Sequence, residues 1–191
     1  MDTTVRRSSN VKQGRFSAKD IAYIGIFVAI MAICSWISIP ATIPFTMQTF
    51  AVFVTIGLLG MYRGTVAVLV YILLGAVGAP VFAGFNGGIG ALMGNAGGYI
   101  IGFLATALIT GLLIKQFGRS TVTMFFAMVA GLFACYAFGT AWFIFFYTKT
   151  SGAIGIMSVL SWCVIPFIIP DLVKIVLAII ITKRVHAHGI L

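Results

Sequence analysis

Acidic side chains are nearly missing from this chain. Among 191 residues there are three, Asp2, Asp20 and Asp171, against twelve lysines and arginines. Charged residues of both signs make up 8% of the sequence, where a soluble domain carries roughly 25%. Hydrophobic residues reach 61%, and the mean hydropathy is +1.16. A chain with so little polar surface cannot face water on all sides, so a soluble enzyme and a nucleic-acid-binding domain are both excluded. What remains is an integral membrane protein. The net charge of +9 then calls for a topological explanation, with no nucleic-acid partner. No GxxxxGK[ST] run is present, so no Walker-type nucleotide site is expected. Cys34, Cys135 and Cys163 show no CxxC spacing and are expected as buried thiols. No metal cluster, paired carboxylates or nucleophile–base pair falls within the apolar segments, which argues against an intramembrane enzyme. The first twenty residues hold no apolar core of the kind a secretory signal needs. They read as a basic solvated tail, residues 1–17, ahead of one membrane domain, residues 18–191.

The expected fold is an all-α bundle of six transmembrane helices. A span needs about 20 mostly apolar residues. The segments are roughly Ala18–Ile39, Gln48–Tyr62, Gly64–Gly78, Gly97–Lys115, Val122–Tyr147 and Pro170–Val185. A shorter apolar piece, Ala153–Ile165, is expected as a re-entrant or interfacial helix. Six spans put Arg6, Arg7, Lys12, Arg15, Lys19, Arg63, Lys115, Arg119, Lys183 and Arg184 on one side. Only Lys149 falls on the other, and Lys174 lies within a span. The positive-inside rule then makes both termini cytoplasmic. All five prolines, Pro40, Pro44, Pro80, Pro166 and Pro170, gather toward the opposite face. Irregular backbone at membrane depth persists only where it is packed in protein or lines a wet cavity. A pocket open to the extracellular side is the expected result. Ser35–Pro44 and Ser161–Pro170 share the spacing S-W-x-x-I-P-x-x-I-P, and each is expected to set a tryptophan at the interface and then break the helix twice.

Within that frame Asp171 is the leading candidate for a functional group. It sits in "IIPDLVKIVLAIII", with Lys174 three residues on and on the same helical face. A charge in the membrane core is costly and is normally kept facing a cavity with a partner. With Pro170 opening the last helix, Asp171 is expected in its first turn, where the dipole favours an anion. Capping alone is the alternative role.

The stretch Pro80–Gly102 holds eight glycines in 23 residues. Bare backbone from Ala83 to Ala96, Gly84 and Gly88 included, is expected to approach a small molecule. Asn86 and Asn95 flank it as donor–acceptor side chains. Gly98 and Gly102 are expected to pack helix against helix. Gln48, Tyr99, Phe82 and Trp142 are further candidates to line the pocket. On the first helix, Ala18, Ala22, Gly25 and Ala29 leave a shallow groove, suited either to packing within the chain or to docking on another membrane protein.

Three runs carry a resemblance: "IPATIPFTMQTFAVFVTIGLLG", "VYILLGAVGAPVFAGFNGGIGALMGNAGGYIIGF" and "PFIIPDLVK". They closely resemble the BioY family, the biotin-specific S components of energy-coupling factor (ECF) transporters in the prokaryotic plasma membrane. The resemblance covers nearly all of the chain after the tail. It implies a biotin-binding subunit, not an enzyme, with biotin as bound substrate and no cofactor. It further implies a transmembrane coupling subunit and two ABC-type ATPases as partners, in a setting of membrane lipid. Ala18, Ala22, Gly25 and Ala29 map onto the family's small-residue docking surface. Biotin's ureido N–H groups call for an acceptor such as Asp171 or an asparagine carbonyl, and its C=O for a donor such as Lys174. The same scaffold loaded with another vitamin, an enzyme acting on lipid or isoprenoid, and a purely structural subunit are the competing readings.

Overall fold

The computed structural model describes residues 16–188. The first fifteen residues of the expected basic tail, with Asp2, Arg6, Arg7, Lys12 and Arg15, lie outside them. Helix α1 (Ala18–Trp36) opens with a reciprocal cap. The Ser17 hydroxyl accepts the Asp20 N–H at 3.2 Å, and the Asp20 carboxylate accepts the Ser17 N–H at 2.9 Å, which satisfies two donors that the first turn leaves open. The helix stops at Trp36, short of Ile39. There the chain enters a small antiparallel pair, β1 (Ser38–Ile39) with β2 (Phe45–Thr46), in the register Ser38↔Thr46 and Ile39↔Phe45. Pro40 and Pro44 lie in the connection, where a missing N–H costs no ladder bond.

Helix α2 (Gln48–Ala76) folds back on itself at Gly60, whose φ of 74° and ψ of −176° are not helical. Gln48 donates to the Tyr71 hydroxyl at 2.5 Å across 23 residues, a separation of about 35 Å in a straight helix. The reversal expected at Arg63 therefore comes three residues earlier. Gly60 takes it because a positive φ is cheap only without a Cβ. The second arm, residues 61–76, packs against the first so closely that a Cβ on Gly64 would sit 3.1 Å from Ile56 Cα.

The glycine-rich stretch forms a single 3-10 turn (Ala83–Phe85) and one short helix, α3 (Ile89–Leu92). Helix α4 (Gly97–Phe117) and α5 (Thr121–Ser151) follow, then α6 (Ile156–Cys163) and α7 (Ile165–Ala187). The last helix corrects the expected Pro170 start. The helix opens at Ile165 with Pro166 in its first turn, and Pro170 lies inside the helix. Asp171 is therefore past the first turn, and the dipole argument for its charge falls away. The two S-W-x-x-I-P copies also part company: the first leads into the β pair, whereas the second breaks only at Val164 and then runs on as helix.

Helix α2 is the hub, packing on α1, α4 and α7. The core fills with Phe53, Tyr71, Phe143, Met31 and Met128, all essentially inaccessible. Between α4 and α5, Thr106 donates to the Gly131 carbonyl at 2.9 Å and Thr110 to the Ala127 carbonyl at 3.1 Å. Lipid is as apolar as leucine, so close small-residue packing and interhelical hydrogen bonds supply much of the association. Gly98 and Gly102 do what was expected of them. A Cβ on Gly98 would overlap Trp142, and one on Gly102 would lie 3.1 Å from Cys135 Sγ. The outer surface is apolar, with Val77, Phe133 and Ile169 at 75% exposure or more. Five helical stretches among the described residues are long and apolar enough to cross a bilayer. The chain is a multi-pass membrane protein.

Contacts fix the two ends of the bundle. Asp20 at the start of α1 pairs with Arg63 beside the α2 bend at 2.9 Å. Arg119, between α4 and α5, donates to the Gly57 carbonyl at 3.3 Å and meets His186 near the end of α7. The start of α1, the α2 bend, the α4–α5 turn and the end of α7 thus share one end. The β pair, the glycine-rich stretch and the start of α7 share the other.

Candidate functional site

At that second end, α7 carries Asp171 and Lys174 one turn apart, so both face the first arm of α2. They are 2% and 4% exposed and pair at 2.8 Å. A buried ion pair persists only when its remaining hydrogen-bonding capacity is met. Here it is. Lys174 Nζ donates to Asp171 Oδ1, to the Thr46 carbonyl at 2.7 Å and to Thr49 Oγ1 at 3.1 Å. An ammonium has three protons, so all of them go to protein partners. Phe45 covers the ammonium with its ring, 4.3 Å from the centroid, where a cation is attracted to the π face.

Asp171 is left differently. Its Oδ1 accepts from Lys174 and from Thr49 Oγ1 at 3.0 Å. Its Oδ2 accepts one bond, from Tyr136 Oη on α5 at 2.6 Å. An ionised carboxylate offers about four acceptor positions, so one at Oδ2 stays available among the described residues. The cluster ties α2, α5 and α7 together, and Asp171, Lys174, Thr49 and Tyr136 all line one cavity.

The cavity is lined by Asp171, Lys174, Tyr136, Thr46, Gln48 and Thr49 on its polar side. Ile43, Pro44, Ala96, Tyr99, Ile100, Phe103 and Phe167 form its apolar walls. A few placed polar groups among apolar and aromatic walls are the usual make-up of a small-molecule site. Gln48 Nε2 uses one proton on Tyr71, and its second is uncommitted among the described residues. Tyr99 Oη meets Thr140 Oγ1 at 3.2 Å on the far wall. Behind the site, Tyr71 Oη and Ser35 Oγ both donate to the Val81 carbonyl, at 2.8 and 2.6 Å. Trp36 Nε1 donates to the Pro80 carbonyl at 2.8 Å. These bonds anchor the start of the glycine-rich stretch to α1 and α2.

Compared with known proteins, the chain matches the BioY family over residues 6–189. It is 41% identical over 162 residues to the biotin transporter BioY of Thermotoga maritima, covering 84% of this chain and 91% of that one. It is 32% identical over 181 residues to the biotin transporter BioY of Rhodobacter capsulatus, covering 89% and 94%. The chain belongs to the BioY family. Its fold matches a crystal structure of the S-component for biotin from an ECF-type ABC transporter, with a TM-score of 0.79 at 24% identity, over 91% of this chain and 95% of that one. The family is one of transporters, as the sequence resemblance implied.

Of the residues singled out from sequence, this BioY chain brings Asp171, Lys174, Gln48 and Tyr99 to one cavity. Phe82 stays out: it is buried edge-on to Tyr71, in a slot that a Cβ on Gly75 would fill. Asn86 is exposed and donates to the Ala83 carbonyl at 2.9 Å, closing its own turn. Gly84 and Gly88 lie in the same loop with positive φ, and neither reaches the cavity wall. Asn95 is half-buried beside Ala96, but only Ala96 lines the cavity. Trp142 packs on Gly98 and donates to the Gly94 carbonyl at 3.1 Å, so it fastens the glycine-rich stretch to α5. Sequence reasoning missed Thr49, Tyr136 and Phe45. Thr49 sits one residue from Gln48. Tyr136 had one signal, a lone phenol in the run "FACYAFG". Ala18, Ala22, Gly25 and Ala29 are all exposed, with open space where a Cβ on Gly25 would go.

Proposed function

We propose that this chain is a high-affinity biotin-binding S component that captures the vitamin at the outer face for ATP-driven uptake by partner subunits. The observation that carries the reading is the buried Asp171–Lys174–Thr49–Tyr136 cluster, which sets a carboxylate on the polar side of a cavity with apolar and aromatic walls, in a chain of the BioY family. Biotin's ureido N–H donates to Asp171 Oδ2. Its C=O accepts from the second proton of Gln48 Nε2. The thiophane ring and valeryl chain lie along Tyr99, Ile100, Phe103 and Phe167. Lys174 contributes indirectly, since its protons are spent holding Asp171 and the β2 backbone. Asn86, Asn95, Phe82, Gly84, Gly88 and Trp142 act one layer out, by shaping the loop that roofs the cavity. A charge-assisted hydrogen bond is worth roughly 1.5–3 kcal/mol, enough to choose a ureido group over a ring without paired donors.

The reading includes six crossings, with the two arms of α2 counted separately, both termini in the cytoplasm and the cavity facing outward. The bias of Lys and Arg toward the Arg63–Arg119 end supports that orientation. The exposed small-residue face of α1 at Ala18, Ala22, Gly25 and Ala29 is the docking surface for a transmembrane coupling subunit, which joins the chain to two ABC-type ATPases. No cofactor is required for binding.

Isothermal titration of the detergent-purified chain with biotin, riboflavin and thiamine tests this. Tight one-to-one binding of biotin alone is expected. Saturable binding of riboflavin or thiamine with silence toward biotin would assign the scaffold to another vitamin.

A further inference from the structure

At the end of the bundle away from the cavity, the α2 bend and the end of α4 enclose a second cleft of about 470 Å³. Its lining includes Gly60, Tyr62, Arg63, Lys115 and Arg119. Three cations therefore meet in one recess. Arg63 is neutralised by Asp20 at 2.9 Å. Among the described residues, Lys115 and Arg119 have no carboxylate partner. Lys115 Nζ is held by Tyr62, 3.1 Å from the hydroxyl and 4.8 Å from the ring centroid. Arg119 spends Nη1 on the Gly57 carbonyl and on His186 Nε2. Its Nη2 hangs over the bend, 3.4 Å from where a Cβ on Gly60 would be. Among the described residues the two cations are oriented without a carboxylate, and their charge is left for something else.

Two apolar stripes lead away from this cleft. On α4, Leu108 and Leu112 are 44% and 50% exposed and fall on the same helical face as Lys115. On α2, Leu69 and Leu73 are 40% and 53% exposed and share a face with Tyr62. Spacings of three, four and seven residues align side chains along one face. The Lys115–Tyr62 bond joins the stripes at their charged end. A phosphate there would have hydrocarbon directly alongside, which is the outline of a phospholipid. Basic pockets between helices at the membrane surface take acidic headgroups.

We propose that this cleft binds the headgroup phosphate of an anionic phospholipid, with Lys115 and Arg119 as its ligands and its acyl chains along Leu69, Leu73, Leu108 and Leu112. The inference rests on the chain's membrane character alone and holds whatever the outer cavity binds.

The test is native mass spectrometry of the full chain in detergent, with phosphatidylglycerol or phosphatidylcholine of matched acyl chains added. The wild type should retain phosphatidylglycerol over phosphatidylcholine. The double variant Lys115→Gln/Arg119→Gln should lose that preference, with phosphatidylglycerol occupancy falling on the order of tenfold. Lys115→Gln alone should lose part of it, and serves if Arg119 proves necessary for folding. Lys183→Gln/Arg184→Gln, which removes equal charge outside the cleft, should keep it. Equal retention in wild type and in the Lys115 variants would overturn the proposal. So would equal losses in both double variants, which would mean bulk charge, or displacement of the lipid by millimolar inorganic phosphate, which would mean a site for the free anion.

Discussion

Lys174 and Lys115 are the same side chain at opposite ends of one bundle. Lys174 is 4% exposed, and all three of its protons are committed within the protein, one of them to Asp171 at 2.8 Å. Lys115 is exposed and held by a single neutral phenol. Burial makes the difference. A charge out of water is tolerated only when paired and fully hydrogen-bonded, so the cavity end had to build a closed network around its lysine. The surface end had no such requirement, and among the described residues Lys115 and Arg119 meet no carboxylate there. The first arrangement gives a carboxylate held in one orientation by its partners. The second gives an open, screened attraction for anions.

Substitutions should separate the two ends by size of effect. Lys174→Met keeps the bulk but leaves Asp171 buried and unpaired. Breaking such a pair from one side costs about 3–5 kcal/mol, so thermal unfolding in detergent should drop sharply and biotin binding should vanish. Next comes Gly98→Val, whose side chain would overlap Trp142. Overpacking of this kind costs about 1–3 kcal/mol, and the melting temperature should fall while one-to-one binding survives. Tyr136→Phe removes the phenol that donates to Asp171 Oδ2. Loss of a hydrogen bond to a charged group, about 1.5–3 kcal/mol, should weaken biotin by roughly tenfold or more in titration calorimetry. At the other end Lys115→Gln should leave both stability and biotin affinity unchanged, since exposed substitutions stay within about 0.5 kcal/mol. A Lys115→Gln variant that melted as early as Lys174→Met would erase the contrast.

Some of this was legible in the sequence. A lone aspartate with a lysine three residues on, inside an apolar run, announced the buried pair without any structure, because lipid leaves few other reasons to keep both. Gln48 and Tyr99 were legible as polar groups at helix starts on the proline-rich side. Tyr136 and Thr49 were not, because their role exists only once α5 and α2 are brought against α7. A phenol and a hydroxyl in apolar helices carry no local mark of what they face. The bend at Gly60 hid for a similar reason: Leu59-Gly60-Met61 reads as unbroken apolar helix, whereas Arg63 looked like the natural edge of the membrane. Asn86 shows how far local sequence reads: an amide among glycines suits a ligand and a tight turn equally, and the 2.9 Å bond to the Ala83 carbonyl makes the turn while leaving Oδ1 uncommitted among the described residues. Pro170 suggested a helix start that Pro166, four residues earlier, already supplies.

The most direct test is a biotin titration of Asp171→Asn beside the wild type, with circular dichroism to show that both are folded. The account predicts a loss in affinity of about an order of magnitude or more, because the neutral amide gives up the charge-assisted acceptor at Oδ2. Unchanged affinity in a folded Asp171→Asn protein would contradict it, reducing the cluster to a structural tie between α2, α5 and α7.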